Sequence, residues 1–164
     1  MAMIRKPNIA IERADPRLPA LRALIAELDR LMAGLYPAES NYLVDVDALA
    51  GPETVFLAAQ AGGETLGCGG IMIRDGDYAE VKRIYVSPRA RGRGIGRRLL
   101  ERLEAEARAQ GLKLLRLETG RRQPEALALF TAFGFSPRGP FGDYPPEDPY
   151  SLFMEKRLQP DRSA

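Results

Sequence analysis

Arg91-Gly92-Arg93-Gly94-Ile95-Gly96-Arg97 is the stretch of this chain most suited to chemistry. It follows an extended run ending at Val86 and opens an amphipathic helical pattern carried by Ile95, Leu99, Leu100, Leu103 and Ala107. The first turn of a helix has unpaired N–H groups and the positive end of the helix dipole. Glycines let a phosphate approach those N–H groups without a side chain in the way. Arg89, Arg91, Arg93, Arg97 and Arg98 add positive charge around the same place. The spacing predicts a diphosphate-binding turn; the plainer alternative is a tight turn at a solvated basic helix start. Two familiar phosphate templates fail. A dinucleotide Gly-x-Gly-x-x-Gly needs glycine where Arg97 stands, and no Gly-x-x-x-x-Gly-Lys string exists.

Other chemistry is bounded by what is missing. The 164 residues contain no histidine, which excludes an imidazole base and nearly all common zinc sites, so no metal site is expected. The single cysteine, Cys68, excludes an internal disulfide and reads as a buried structural thiol. Lys and Arg total 24 against 22 Asp and Glu, a net charge of +2. That balance, with no aromatics interleaved among the arginines, argues against nucleic acid as a partner. No window approaches a spanning helix and no signal-peptide pattern opens the chain, so no membrane partner is expected and a cytoplasmic setting is the simplest reading.

The elements that must position the turn follow from periodicity. Asn8 to Glu12 alternates like a short strand, and Pro19 to Gly34 has the one-face apolar spacing of a helix. Val55–Gln60, Glu64–Arg74 and Tyr78–Val86 read as strands joined through Gly62-Gly63 and Asp75-Gly76-Asp77. In the third of these the alternation breaks between Val81 and Val86, which predicts a bulge or burial on both faces. Leu112–Glu118 reads as a strand, Pro124–Phe133 as a helix and Ser151–Lys156 as a final strand. The proline-rich segment between them, from Pro137 to Pro149, reads as a loop. The order predicts one α/β (α+β) domain over residues 1–164, built on a mixed sheet.

Arg91-x-x-Gly94-x-Gly96 between a strand and a helix resembles the acyl-CoA motif of the GNAT (Gcn5-related N-acetyltransferase) superfamily. Leu117-Glu118-Thr119-Gly120, Pro124-Glu125-Ala126 and Phe130-x-x-Phe133-Gly134-Phe135 are similar to the segment that closes the cofactor cleft in those enzymes. The resemblance implies a mostly antiparallel twisted sheet with a splayed parallel pair at its centre, flanked by helices. It implies acetyl-CoA as acyl donor, with its pantetheine arm on the backbone of Ile84, Tyr85 and Val86. The pyrophosphate would lie on the amides of Arg91, Gly92, Arg93, Gly94, Ile95, Gly96 and Arg97.

By the same resemblance, Glu80 matches the general base of histone-type members; its other reading is a surface glutamate paired with Lys82. Phe130 stands where many members carry a tyrosine that protonates the leaving thiolate, and phenylalanine donates no proton. Tyr144 is then a replacement acid or an aromatic packed on the sheet. The expected reaction is direct transfer of an acetyl group to a primary amine of a small molecule. Tyr36–Tyr42 and Gly139–Tyr150 would line the acceptor site; Lys82 and Arg83 read first as surface charges and otherwise as a pair that holds an acceptor carboxylate. A non-catalytic acyl-CoA-binding sensor on the same fold is the alternative that Phe130 keeps open. Nothing in the sequence excludes a homodimer.

Overall fold

The computed structural model describes residues 7–75 and 77–159, so Gly76 of the predicted turn lies outside the described residues. In chain order the elements are β1 (Ala10–Arg13), α1 (Pro19–Leu35), α2 (Val46–Leu49), β2 (Thr54–Ala61), β3 (Glu64–Arg74) and β4 (Tyr78–Val86). There follow α3 (Ile95–Ala109), β5 (Leu114–Gly120), α4 (Pro124–Phe133), β6 (Ser136–Arg138) and β7 (Ser151–Arg157). Seven strands form one sheet in the order β1-β2-β3-β4-β5-β7-β6. Every pairing is antiparallel except that of β4 with β5. This is the mixed sheet with a central parallel pair that the resemblance implies.

Each helix buries the face its sequence marks. In α1 these are Leu21, Leu24, Ile25 and Leu28; in α3 they are Ile95, Leu99, Leu100, Leu103 and Ala107. α3 and α4 cover one face of the sheet over Leu57, Ile71, Val81, Leu115, Leu117 and Met154. α1 covers the other over Phe56, Ala58, Cys68, Met72 and Tyr85. Full burial of each large side chain is worth roughly 1.5–3 kcal/mol, so these two layers dominate the stability of the fold.

Two irregularities shape the middle of the sheet. The first is the bulge predicted from the broken alternation. Cys68 pairs with Tyr85 but Gly70 pairs with Lys82, so β4 carries one residue more than β3. Arg83 sits at this point in left-handed backbone, with φ +55°. For a residue with a Cβ that conformation costs about 1–2 kcal/mol. It is offset by a hydrogen bond from Arg83 Nη2 to the Val44 carbonyl at 2.8 Å and an ion pair of Nε with Asp29 at 3.1 Å. The second irregularity is a splay. β4 and β5 pair only at Tyr78–Leu114, Ala79–Leu115 and Glu80–Arg116. Beyond Glu80 the two strands part, and among the described residues the edge of β4 from Val81 onward has no strand beside it on that side.

The sequence reading offers no α2, places the start of β1 two residues early, and departs from the structure at β5 and β6. β5 runs two residues later than expected, ending at Gly120, because it must reach Ser151 of β7 to complete its antiparallel ladder. Pro137, assigned to a loop, lies in β6. That strand is at the edge of the sheet, where a missing N–H can face outward without breaking the ladder.

Candidate active site

The splay opens a cleft of about 560 Å³ between β4, the turn before α3, and α4. The expected cofactor residues Ile84, Tyr85, Val86, Arg91, Gly92, Gly94, Ile95, Gly96, Arg97 and Phe130 all line it; Arg93 does not. Gly92 and Gly94 have φ of +79° and +74°, and a Cβ on either would meet no atom within 4 Å. The turn therefore uses glycine for its left-handed backbone and leaves open space above it. The first helical bond of α3 is donated by Arg98 to the Gly94 carbonyl and the Arg91 N–H turns to the Pro88 carbonyl at 3.5 Å, so among the described residues the amides from Gly92 to Arg97 have no backbone acceptor and can hold an anion. An unpaired strand edge and an open amide cradle in one cleft fit an acyl-CoA.

Gly96 has a further role. A Cβ there would come within 2.9 Å of Leu129 Cδ2, so its bare backbone lets α4 sit against α3. The arginines are less free than their number suggests. Arg89 pairs with Glu64 at 3.4 Å and Arg97 with Glu101 at 3.2 Å. Arg91 turns back to give its Nε to the Val86 carbonyl at 3.3 Å. Phe130, only 7% exposed, packs edge-to-face on Phe135 and forms part of the wall where the cleft continues inward.

Past Ile84, Ala126 and Phe130 the cleft meets a smaller chamber of about 130 Å³. Its walls are the diverging strands, Val81 to Ile84 on one side and Leu117 to Gly120 on the other, closed by Tyr36, Tyr42 and Tyr150. The two segments expected to line an acceptor site thus meet here. They are tied together: the Tyr42 hydroxyl donates to Asp148, and the rings of Tyr36 and Tyr150 meet edge-to-face. Beyond Tyr42 and Lys82 lies a third cavity of about 540 Å³, which contains Glu80 and Tyr144.

Glu80 is 3% exposed, so the surface-glutamate reading gives its pairing but not its burial. Its carboxylate meets Lys82 Nζ at 2.9 Å and Arg74 Nη2 at 3.2 Å, and accepts a hydrogen bond from the Tyr144 hydroxyl. Lys82 Nζ also donates to the Tyr144 oxygen at 2.5 Å. Burial, and then the Glu80 carboxylate, push the Tyr144 phenol far above its usual range, so this hydroxyl keeps its proton. Its ring is packed against Phe141, Phe153 and Tyr42. Lys82 and Arg83, otherwise read as a pair that holds an acceptor carboxylate, are engaged instead with Glu80 and Asp29.

Two residues have roles that the sequence reading does not give them: Glu118 enters it only within the cleft-closing segment and Tyr36 only as one end of the acceptor-lining stretch. Glu118, on β5, lines the chamber and accepts a hydrogen bond from Ser151 Oγ at 2.7 Å. Burial raises the pKa of its carboxyl, against the pull of the Ser151 hydroxyl and Lys82; Asp148 and Glu80 push the same way as burial. The usable signal was parity, since Glu118 alternates with the buried Leu115 and Leu117. Tyr36 is the other. Its hydroxyl accepts from the Arg122 N–H at 3.0 Å and donates to Gln123 Oε1 at 3.2 Å, and burial raises its pKa. Nothing local in the sequence distinguishes it from any aromatic at a helix end.

The sequence profile of the acetyltransferase (GNAT) family matches residues 21–135. An IAA acetyltransferase of Azospirillum brasilense is 56% identical over 153 residues, covering 93% of this chain and 99% of the relative. Among solved structures, a Klebsiella pneumoniae protein assigned as an acyl-CoA N-acyltransferase is 36% identical, with a TM-score of 0.78 and coverage of 92% and 98%. A PaiA N-acetyltransferase from Thermoplasma acidophilum, solved with coenzyme A, shares the fold at 20% identity, TM-score 0.71 and coverage of 92% and 99%. With its splayed strands and glycine–arginine turn, this chain belongs to the GNAT acetyltransferase family. It is an acyltransferase that uses acetyl-CoA.

Among the described residues no helix is long and apolar enough to cross a membrane, and no group of three His, Cys, Asp or Glu side chains could hold a metal ion.

Proposed function

We propose that the chain moves an acetyl group from acetyl-CoA to the primary amine of a small molecule by direct attack. The observation that carries this is that the large cleft and the small chamber adjoin. The two share Ile84, Ala126 and Phe130, so a thioester laid along the β4 edge would present its carbonyl at the chamber mouth. A space of about 130 Å³ closed by tyrosines suits a compact acceptor. Glu118 in its wall suits an ammonium, since Lys82, the cation beside it, is already paired with Glu80, whereas Asp29 is taken up by Arg83.

Acetyl-CoA supplies the activated acetyl thioester; the protein's part is to bind, orient and move protons. The β4 edge along Ile84, Tyr85 and Val86 holds the arm in register once Arg91 Nε yields the Val86 carbonyl, and an N–H at Tyr85 or Val86 polarises the carbonyl. The amides between Arg91 and Arg97 hold the pyrophosphate. With Phe130 in place of a hydroxyl donor, the thiolate leaves unaided, which a thiol pKa of about 8.5 allows. Glu80, Lys82 and Tyr144 anchor the loop that runs from Gly139 to Tyr150 over the acceptor side. Cys68 takes no part: it is buried and its thiol is pushed up to about 12, so no acyl-enzyme forms there.

A panel of small primary amines, scored by CoA thiol release and by mass of the N-acetyl product, tests this. Turnover with compact amines is the expected result. Acetyl-CoA binding by calorimetry without thiol release from any amine would overturn it in favour of a binding module.

A further inference from the structure

We propose that Glu118, rather than Glu80, takes the proton from the acceptor amine. The assignment rests on the N-acetyltransferase reading above and names a base for it.

The argument is one of position and occupancy. An ammonium cannot attack a thioester until it loses a proton, and the group that takes it needs a free lone pair within reach of the reacting nitrogen. Glu80 is on the last paired rung of the parallel strands, opposite Arg116, and outside the chamber. Its carboxylate is already held by Arg74, Lys82 and the Tyr144 hydroxyl. Glu118 is two residues further along β5, past the point where the strands part, in the chamber wall. Among the described residues its carboxylate accepts only the Ser151 hydroxyl and has no cation in ion-pair contact.

The charged and titratable groups around Glu118 are Lys82 and Glu80 from β4, Asp148 from the 139–150 loop, and the phenols of Tyr36, Tyr42 and Tyr144. Lys82 favours the ionised form; Glu80 and Asp148 oppose it. The outcome is a carboxylate more basic than an ordinary glutamate.

In the reaction, one ammonium proton passes to the Glu118 carboxylate. The freed nitrogen lone pair forms the N–C bond to the acetyl carbon, and the C–S electrons leave on sulfur as thiolate. The second proton, shed as the amide forms, goes to the thiolate or to water. The first leaves Glu118 for solvent.

The test compares wild type, Glu118→Gln, Glu80→Gln and Ser151→Ala in the full chain. Acetyl-CoA affinity by calorimetry should be unchanged in Glu118→Gln, while kcat/KM for an alkylamine falls about 100-fold or more at neutral pH. The loss should shrink as pH rises toward the pKa of the amine. It should nearly vanish with hydroxylamine, which is largely unprotonated at neutral pH. Glu80→Gln should keep the acid limb of the pH profile. Ser151→Ala, lacking a hydrogen bond to the carboxylate, should move that limb upward. The Glu118 carboxyl carbon, followed by NMR in the ligand-free protein, should titrate above the ordinary range and shift likewise in Ser151→Ala.

A wild-type pH profile in Glu118→Gln, or loss of the acid limb in Glu80→Gln instead, would overturn the assignment alone. If wild type acetylates no amine in the panel, the acetyltransferase reading falls and takes this one with it. If Glu118→Gln fails to bind acetyl-CoA, the Ser151→Ala shift decides, and its absence counts against Glu118.

Discussion

The Tyr36 hydroxyl occupies the space left by the missing side chain of Gly120: a Cβ there would fall 1.9 Å from that oxygen. The contact joins the end of α1 to the end of β5 across the mouth of the splay. Through the Arg122 N–H and Gln123 Oε1 the same hydroxyl holds the turn into α4. The width of the chamber is therefore set by a glycine and a tyrosine together.

Gly120→Ala should displace the Tyr36 ring and destabilise the protein by about 1–3 kcal/mol, the usual range for overpacking. Denaturant unfolding measures it. The double variant with Tyr36→Ala should lose less than the sum of the two single losses, because the clash is then gone. Strict additivity would show that the two residues do not constrain each other.

Gly94→Ala should weaken acetyl-CoA binding at least tenfold by calorimetry, since the new methyl group projects into the open space of the cradle. It should also cost about 1 kcal/mol of stability, the penalty for a Cβ at φ +74°. A variant with reduced stability and undiminished affinity would place the pyrophosphate elsewhere.

Glu118→Gln should be more stable than wild type at neutral pH. The carboxyl pKa is raised in the folded state, so between the unfolded and folded values the native protein binds the extra proton. Stability from this group is therefore present at low pH and lost as pH rises through the folded value. The neutral amide avoids that loss. Thermal unfolding should show a Tm advantage near pH 7 that disappears at about pH 3, below the ordinary glutamate range.

Glu80→Ala should cost about 3–5 kcal/mol, because it leaves the nearly buried Lys82 ammonium without its carboxylate. Limited proteolysis should then cut the 139–150 loop faster, as Tyr144 loses its acceptor. Unchanged protection of that loop would remove the anchoring role from Glu80.

Cys68→Ala should retain wild-type turnover, and the native thiol should resist alkylation until the protein unfolds. Burial keeps it protonated, with its hydrogen directed to the Arg83 carbonyl. A loss of the first turnover in this variant would point to a covalent route.

How far the molecule could be read beforehand depended on whether a signal was local. The faces of α1 and α3 were legible because each apolar position recurs on one side of a helix. The bulge was legible because Val81 and Val86 cannot share a regular alternation. β6 was hidden by Pro137, whose tolerance depends on being at a sheet edge, a fact of topology. Glu118 was hidden because a glutamate between the buried Leu117 and Thr119 looks like any outward strand residue until the neighbouring strand turns away. Glu80 stood out by its place before the glycine turn, yet its engagement with Arg74 and Tyr144 depends on residues distant in the sequence.

The left-handed kink at Arg83 carries a lesson for anyone engineering this scaffold. Excising one residue there would let β3 and β4 zip without interruption and spare the protein a strained main chain. It would also turn Ile84, Tyr85 and Val86 by half a revolution, swapping the main-chain edge offered to the donor. Optimising such a chain for thermal hardiness alone would thus tend to erase the imperfection on which its trade depends.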